Sequence, residues 1–217
     1  SGSGGSTGAA DLYEYSISNG GSWLAYTSGS TINTTGATTN VLIRVSRSAG
    51  SYGCSATGPT TIVTWPVASV PVAPTLGIAT PVDGTTICAG FNTGTVTGTG
   101  GSGGSTGAVN EYQVSINGGS TYSAYISGAA INTTGATGSV IVQARRTAGS
   151  YGCSNSALST ICTWTVGSAP VSPTLGIATP ADGTIICAGF NTGSVAGTGG
   201  SGGSTGAANE YQVSING

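Results

Sequence analysis

Apolar and polar residues alternate along much of this chain. Tyr112, Val114 and Ile116 alternate with polar residues, and the segment 13–17 repeats the pattern. A period of two is typical of a strand with one buried face. We find no helical periodicity of useful length, and the high content of Gly, Ser and Thr disfavours helices. The pattern predicts an all-β protein.

Further strands are predicted around this one. Asn117-Gly118-Gly119 is a tight-turn signal, because Asn and Gly tolerate positive φ. The other predicted strands are Thr121–Tyr125, Val140–Arg145 and Leu158–Val166, with one or two more within Ile87–Thr99.

The chain repeats itself without gaps. The sequence GSGGSTGA starts at Gly2, Gly101 and Gly200, so the spacing is 99 residues each time. A period of this length is too long for a solenoid unit and fits one small domain. Each period holds about seven predicted strands with turns between them. This pattern predicts tandem immunoglobulin-like or fibronectin-like β-sandwich repeats of 99 residues.

Proline clusters mark the predicted domain boundaries, because proline fixes φ and stiffens a connection. We predict the C-terminal part of a repeat at 1–67, a proline-bearing linker at 68–73, a complete repeat at 74–166, a linker at 167–172 and the N-terminal part of a repeat at 173–217. GSGGSTGA has two interpretations. It is either a flexible spacer or a loop between the two sheets of one repeat, and we favour the loop.

Composition narrows the functional classes. Charged residues make up 5% of the chain, the net charge is −2, and there is no His and no Lys. Nucleic acid is therefore not an expected partner, and no apolar run is long enough for membrane insertion. Serine has no base to activate it, and the carboxylates are too scattered for a calcium loop. We predict no enzymatic activity, no catalytic residue, no metal and no cofactor.

Four cysteines recur with the period. We predict a disulfide between Cys88 and Cys153 in the complete repeat, worth roughly 4 kcal/mol on the chain-entropy model. Cys54 and Cys187 would then pair outside this sequence. The alternatives are bridges across the linkers, Cys54–Cys88 and Cys153–Cys187, or reduced thiols. Paired cysteines in such β modules favour an oxidising exterior.

The fifth cysteine and the aromatic residues have structural interpretations. Cys162 replaces Val63 and shares a strand face with Trp164, so we predict a free buried thiol. Trp65 and Trp164 are predicted to lie in the core. Four residues of the hairpin could instead form a weak glycan contact, although hairpin packing is the main expectation. These residues are Trp23, Tyr26, Tyr122 and Tyr125.

Two short motifs resemble those of a known family. Ile87-Cys88-Ala89-Gly90 and Tyr52-Gly53-Cys54-Ser55-Ala56 resemble the marks of tandem Ig-like repeats in giant surface proteins of Bacteroidetes, above all the SprB-type mobile adhesins of gliding bacteria. The resemblance implies export by the type IX secretion system and display on the bacterial cell surface.

The expected function is that of a structural shaft segment in a long extracellular adhesin or surface filament. Its expected partners are neighbouring repeats of the same chain, with surface polysaccharide or other shafts as further candidates. The alternative is an array of weak carbohydrate-binding modules, in which avidity comes from repetition.

Overall fold

The computed structural model describes residues 2–215, and these fold as an all-β protein. Within that range, no helix is present that could cross a membrane. The strands are β1 (Asp11–Ser16), β2 (Leu24–Tyr26), β3 (Asn40–Arg47), β4 (Thr60–Pro66), β5 (Val72–Thr80), β6 (Thr86–Cys88), β7 (Thr95–Ser102), β8 (Asn110–Ser115), β9 (Ser123–Tyr125), β10 (Ser139–Arg146), β11 (Ser159–Gly167), β12 (Val171–Thr179) and β13 (Ser194–Ser201).

The chain forms two compact units. The first contains the chain up to Val70 together with the loops Gly103–Gly107 and Ala148–Cys153, and the second contains the rest. The first unit has one sheet of four strands, in the order β2-β1-β3-β4. The second has a five-stranded sheet, β6-β11-β10-β8-β9, and the two-stranded sheets β5-β7 and β12-β13.

Seven strands, β5 to β11, lie between Val72 and Gly167, which agrees with the number predicted for one repeat. Strand β5 itself was not predicted, and it begins inside the expected linker 68–73. Its proline and glycine residues interrupt the alternation of apolar and polar positions by which a strand is recognised. It forms as an edge strand, where proline is tolerated, by pairing antiparallel with β7 from Val72 opposite Ser102 to Thr80 opposite Thr95.

The core of the second unit lies between the β5-β7 sheet and the five-stranded sheet. Trp164 is its largest fully buried side chain, and its indole Nε1 donates a hydrogen bond to the Pro81 carbonyl at 2.9 Å. A buried indole needs such a partner for its N–H. Two facing sheets around one apolar core are compatible with a β-sandwich. The remaining buried apolar residues of this core are Ile87, Val96, Ile131, Ala136, Val140, Val142, Ala144, Ile161 and Cys162.

The first unit has a thinner core. Val41 and Ile43 are buried, but Trp65 has an exposed fraction of 49%, against 0% for Trp164 one period later. The prediction that Trp65 lies in the core is therefore wrong. The two-stranded layer that covers Trp164 has no counterpart among the described residues of the first unit.

The GSGGSTGA segment is an ordered loop between sheets. Its second copy connects β7 to β8, which lie in different sheets, as predicted. Its backbone is paired with a second loop. Ser105 N donates to Ala148 O at 2.8 Å, and Ser150 N donates to Thr106 O at 2.9 Å.

The first copy makes the same two bonds. Ser6 N donates to Ala49 O at 3.2 Å, and Ser51 N donates to Thr7 O at 2.9 Å. Two loops that lie some forty residues apart in sequence thus pair in both copies. The pairing explains why a sequence that reads like a linker is retained letter for letter within the repeat.

Candidate functional site

The most distinctive site is the junction at which the segment before β5 or β12 meets the GSGGSTGA loop of the following repeat. Gly104 N donates to Ser69 O at 2.9 Å, and Gly203 N donates to Ser168 O at 2.8 Å, one period later. The neighbouring Gly202 has a φ of +78°, and a Cβ there would overlap the Ala169 carbonyl oxygen. Only glycine fits such a position. The connecting segment is therefore held by the loop of the repeat that follows it.

The second junction contains further bonds within the second unit. Thr205 N donates to Thr86 O at 2.9 Å, and Thr86 N donates to Thr205 Oγ1 at 3.0 Å. Thr86 opens β6 of the middle repeat, and Thr205 lies in the loop of the third. Sequence reasoning missed these junction residues. The sequence feature that could have indicated them is the identical repetition of GSGGSTGA every 99 residues.

Charged residues form cross-strand pairs. Arg44 and Glu14 lie directly opposite each other on β3 and β1, and Nε lies 2.7 Å from Oε2. Arg47 and Asp11 are also 2.7 Å apart. The Gly2 amide donates a hydrogen bond to the Asp11 carboxylate at 2.8 Å. This bond, followed by the contact with Arg47, lowers the pKa of Asp11. These groups brace the sheet.

The middle repeat replaces one of these ion pairs as a whole. Gln113 and Gln143 occupy the positions of Glu14 and Arg44, and Gln113 Nε2 donates to Gln143 Oε1 at 2.8 Å. Because both positions change together, Gln113 and Gln143 bond to each other and neither side chain is left without a partner. A separate ion pair, Arg145–Glu111 at 2.7 Å, lies on the same strands.

The hairpin aromatics of the first repeat are packed. The Arg44 guanidinium lies 3.9 Å from the centroid of the Trp23 ring, a cation–π contact. The Tyr26 ring meets Tyr15 edge-on with centroids 6.3 Å apart, and its hydroxyl donates to Ser30 O at 3.0 Å. Trp23 and Tyr26 therefore both have structural contacts.

The Tyr125 side chain is held by hydrogen bonds between its hydroxyl and backbone atoms. Its hydroxyl accepts a hydrogen bond from Val96 N at 3.0 Å and donates to Ala129 O at 2.8 Å. Burial raises the pKa of this tyrosine. Tyr122 and Tyr125 also line a shallow groove over β8 and β9, with a volume of about 690 Å³, together with Tyr112 and Glu111. The structure thus brings two predicted glycan-contact residues to one groove.

All five cysteines are free thiols in the structure, and the disulfide between Cys88 and Cys153 stays a prediction. Cys88 lies beside Gly167 at the C-terminal end of β11, because β6 runs parallel to β11. The pairing partners predicted for Cys54 and Cys187 outside this sequence remain a prediction, and both thiols are exposed.

Cys162 is a free thiol with an exposed fraction of 2%. Burial, with a smaller contribution from the nearby Asp83, raises its pKa to about 12. The Asp83 carboxylate accepts a hydrogen bond from Thr163 N at 2.7 Å, next to the thiol.

Replacing Cys162 by valine, the residue at position 63, should remove part of the alkaline sensitivity of the fold. A folded pKa above the ordinary value of 9.0 means that the stability contributed by the thiol is complete below pH 9 and is lost as pH rises towards 12. The difference in unfolding free energy between the two proteins should change by about 1 kcal/mol per pH unit in this window. Denaturant titrations of the two proteins from pH 8 to pH 11 measure it, and a difference that does not vary with pH would contradict the effect of burial.

No family model, no curated protein and no solved structure matches this chain. Its function is therefore inferred from its own repeats, junctions and surface.

Proposed function

We propose that this chain is a segment of the structural shaft of a long extracellular adhesin or surface filament. Its 99-residue repeats would be immunoglobulin-like or fibronectin-like β-sandwiches that set reach and stiffness. The observation that carries the proposal is the recurring junction, Gly104–Ser69 and Gly203–Ser168, with the same hydrogen bond one period apart. Contacts that recur between neighbouring repeats are typical of tandem repeat arrays.

The sandwich assignment is supported by seven strands in two facing sheets around Trp164. The shaft assignment is supported by the chemistry of the surface. Asp11, Glu14 and Glu111 each form an ion pair with an arginine, and the Asp83 carboxylate accepts a hydrogen bond from Thr163 N. These four carboxylates therefore have structural contacts. The resemblance to Bacteroidetes adhesin repeats favours display on the bacterial surface after type IX secretion.

Small-angle scattering of arrays of two, four and six middle repeats tests the shaft. The maximum dimension should grow by an equal increment of roughly 35–45 Å per repeat, the length of a sandwich strand plus its turns. Growth with the square root of repeat number, as for a freely jointed chain, would contradict the proposal.

The groove over β8 and β9 favours one alternative, an array of weak carbohydrate-binding modules. It places Tyr122 and Tyr125 beside the Glu111–Arg145 ion pair, and aromatic rings with polar neighbours are suited to sugars. Glycan-array binding that disappears in Tyr122→Ala would favour this function. Tyr122→Phe keeps the ring and is the control.

A further inference from the structure

The middle repeat carries two polar cross-strand pairs side by side on its five-stranded sheet. Glu111 on β8 lies opposite Arg145 on β10, and their side chains are 2.7 Å apart. Two residues further along the same strands, Gln113 lies opposite Gln143 and bonds to it at 2.8 Å. We call these two pairs the polar strip. The two pairs are about 7 Å apart, which is twice the rise per strand residue.

The first repeat has only half of this strip. Leu12 lies opposite Ser46 at the positions of Glu111 and Arg145, and the Leu12 side chain is about half exposed. The second pair is Glu14 with Arg44, at 2.7 Å. A leucine cannot donate or accept a hydrogen bond, so one end of the equivalent surface is apolar.

A tryptophan covers the remaining polar pair of the first repeat. The Arg44 guanidinium lies 3.9 Å from the centroid of the Trp23 ring, and the Arg44 side chain is 25% exposed, against 37% for Arg145. The middle repeat has Tyr122 in place of Trp23 and the uncharged Gln143 in place of Arg44, so it cannot form this cation–π contact. Its tyrosine instead lines the groove over β8 and β9, beside three side chains of the polar strip.

We propose that the groove of the middle repeat binds a neutral polysaccharide, and that Trp23 and Leu12 abolish this binding in the first repeat. The ring of Tyr122 is suited to packing on the apolar face of a sugar, while the polar strip is suited to its hydroxyl groups. The proposal rests on the carbohydrate-binding alternative and deepens it, since it names the ligand class and the repeat that binds it. It does not depend on the shaft function.

The charges of the groove favour a neutral ligand. Arg145 and Glu111 neutralise each other, and the two glutamines of the strip carry no charge. A carboxylated sugar would have to displace Glu111 before it could pair with Arg145, whereas a sugar hydroxyl can bond to amide and carboxylate groups without displacing either. The affinity should therefore change little with salt, because salt screens interactions between charges.

Titration calorimetry of the 217-residue chain with oligosaccharides of glucose, mannose and xylose tests the proposal, with oligogalacturonate as the acidic probe. At least one neutral probe should bind with a stoichiometry of one per chain. Tyr122→Ala should lower the affinity for this probe by about tenfold or more, the equivalent of one good contact, and Tyr122→Phe should retain it.

Exchanging the residues between the repeats tests where the site lies. The middle repeat should lose its binding when it receives the residues of the first: Glu111→Leu, Gln113→Glu, Tyr122→Trp, Gln143→Arg and Arg145→Ser. The first repeat should gain a site, and the stoichiometry should rise to two, when it receives those of the middle repeat: Leu12→Glu, Glu14→Gln, Trp23→Tyr, Arg44→Gln and Ser46→Arg. Every introduced side chain occurs at the equivalent position of the same chain, and circular dichroism verifies the strand content.

The outcomes separate this proposal from the function on which it rests. Binding that survives the exchange in the middle repeat, or a stoichiometry that stays at one after the exchange in the first, would overturn the proposal. If Tyr122→Ala still abolished binding in that case, carbohydrate binding itself would stand. Stronger binding of oligogalacturonate than of every neutral probe would overturn the ligand class. No binding of any probe would overturn both the proposal and the carbohydrate-binding alternative.

Discussion

Replacing Trp164 by alanine should lower the unfolding free energy of the second unit by about 3–5 kcal/mol, the usual cost of truncating a buried tryptophan. The ring is fully buried between two sheets, and the substitution also leaves the Pro81 carbonyl without its donor. Guanidinium titration followed by circular dichroism measures the loss.

Trp65→Ala is the matched control, one period earlier. The same atoms are removed from a site with an exposed fraction of 49%, so the loss should be near 1 kcal/mol. Equal losses at the two positions would contradict the burial difference between the units.

Replacing Gly149 by alanine should destabilise the paired loops of the first unit by about 2–4 kcal/mol. Gly149 has a φ of +79°, which costs an L-residue roughly 1 kcal/mol. A Cβ there would also overlap the Ser105 carbonyl oxygen. Overpacking against backbone adds about 1–3 kcal/mol, because the backbone cannot move aside.

Gly152→Ala separates these two causes. Gly152 lies in the same loop with a φ of +78°, but a Cβ added there would have no atom within 4 Å. Only the φ cost of about 1 kcal/mol should appear. Hydrogen exchange of the Ser150 amide, which is bonded to Thr106 O, reports the local effect. Similar exchange rates in the two variants would contradict the contact between the loops.

The strands were predictable where one face of the strand is buried. Val140, Val142 and Ala144 are buried and alternate with half-exposed residues along β10. β5 was not predictable, because Pro74 and Gly77 interrupt its pattern and its stability comes from β7. The exposure of Trp65 was missed for a related reason: burial depends on the opposite layer, which a single strand does not encode.

Contacts between distant residues were beyond the sequence. The Gln113–Gln143 and Glu14–Arg44 pairs depend on strand register, and the Ser69–Gly104 bond depends on how a linker meets a loop. The position of Cys88 has the same origin, because the parallel pairing of β6 with β11 sets it beside Gly167.

The central claim is that each connecting segment is bonded to the GSGGSTGA loop that follows it. Hydrogen exchange of the Gly104 and Gly203 amides, which donate to Ser69 O and Ser168 O, tests it most directly. Both amides are predicted to exchange much more slowly than an unprotected peptide amide. Exchange of either amide at the unprotected rate would contradict the account.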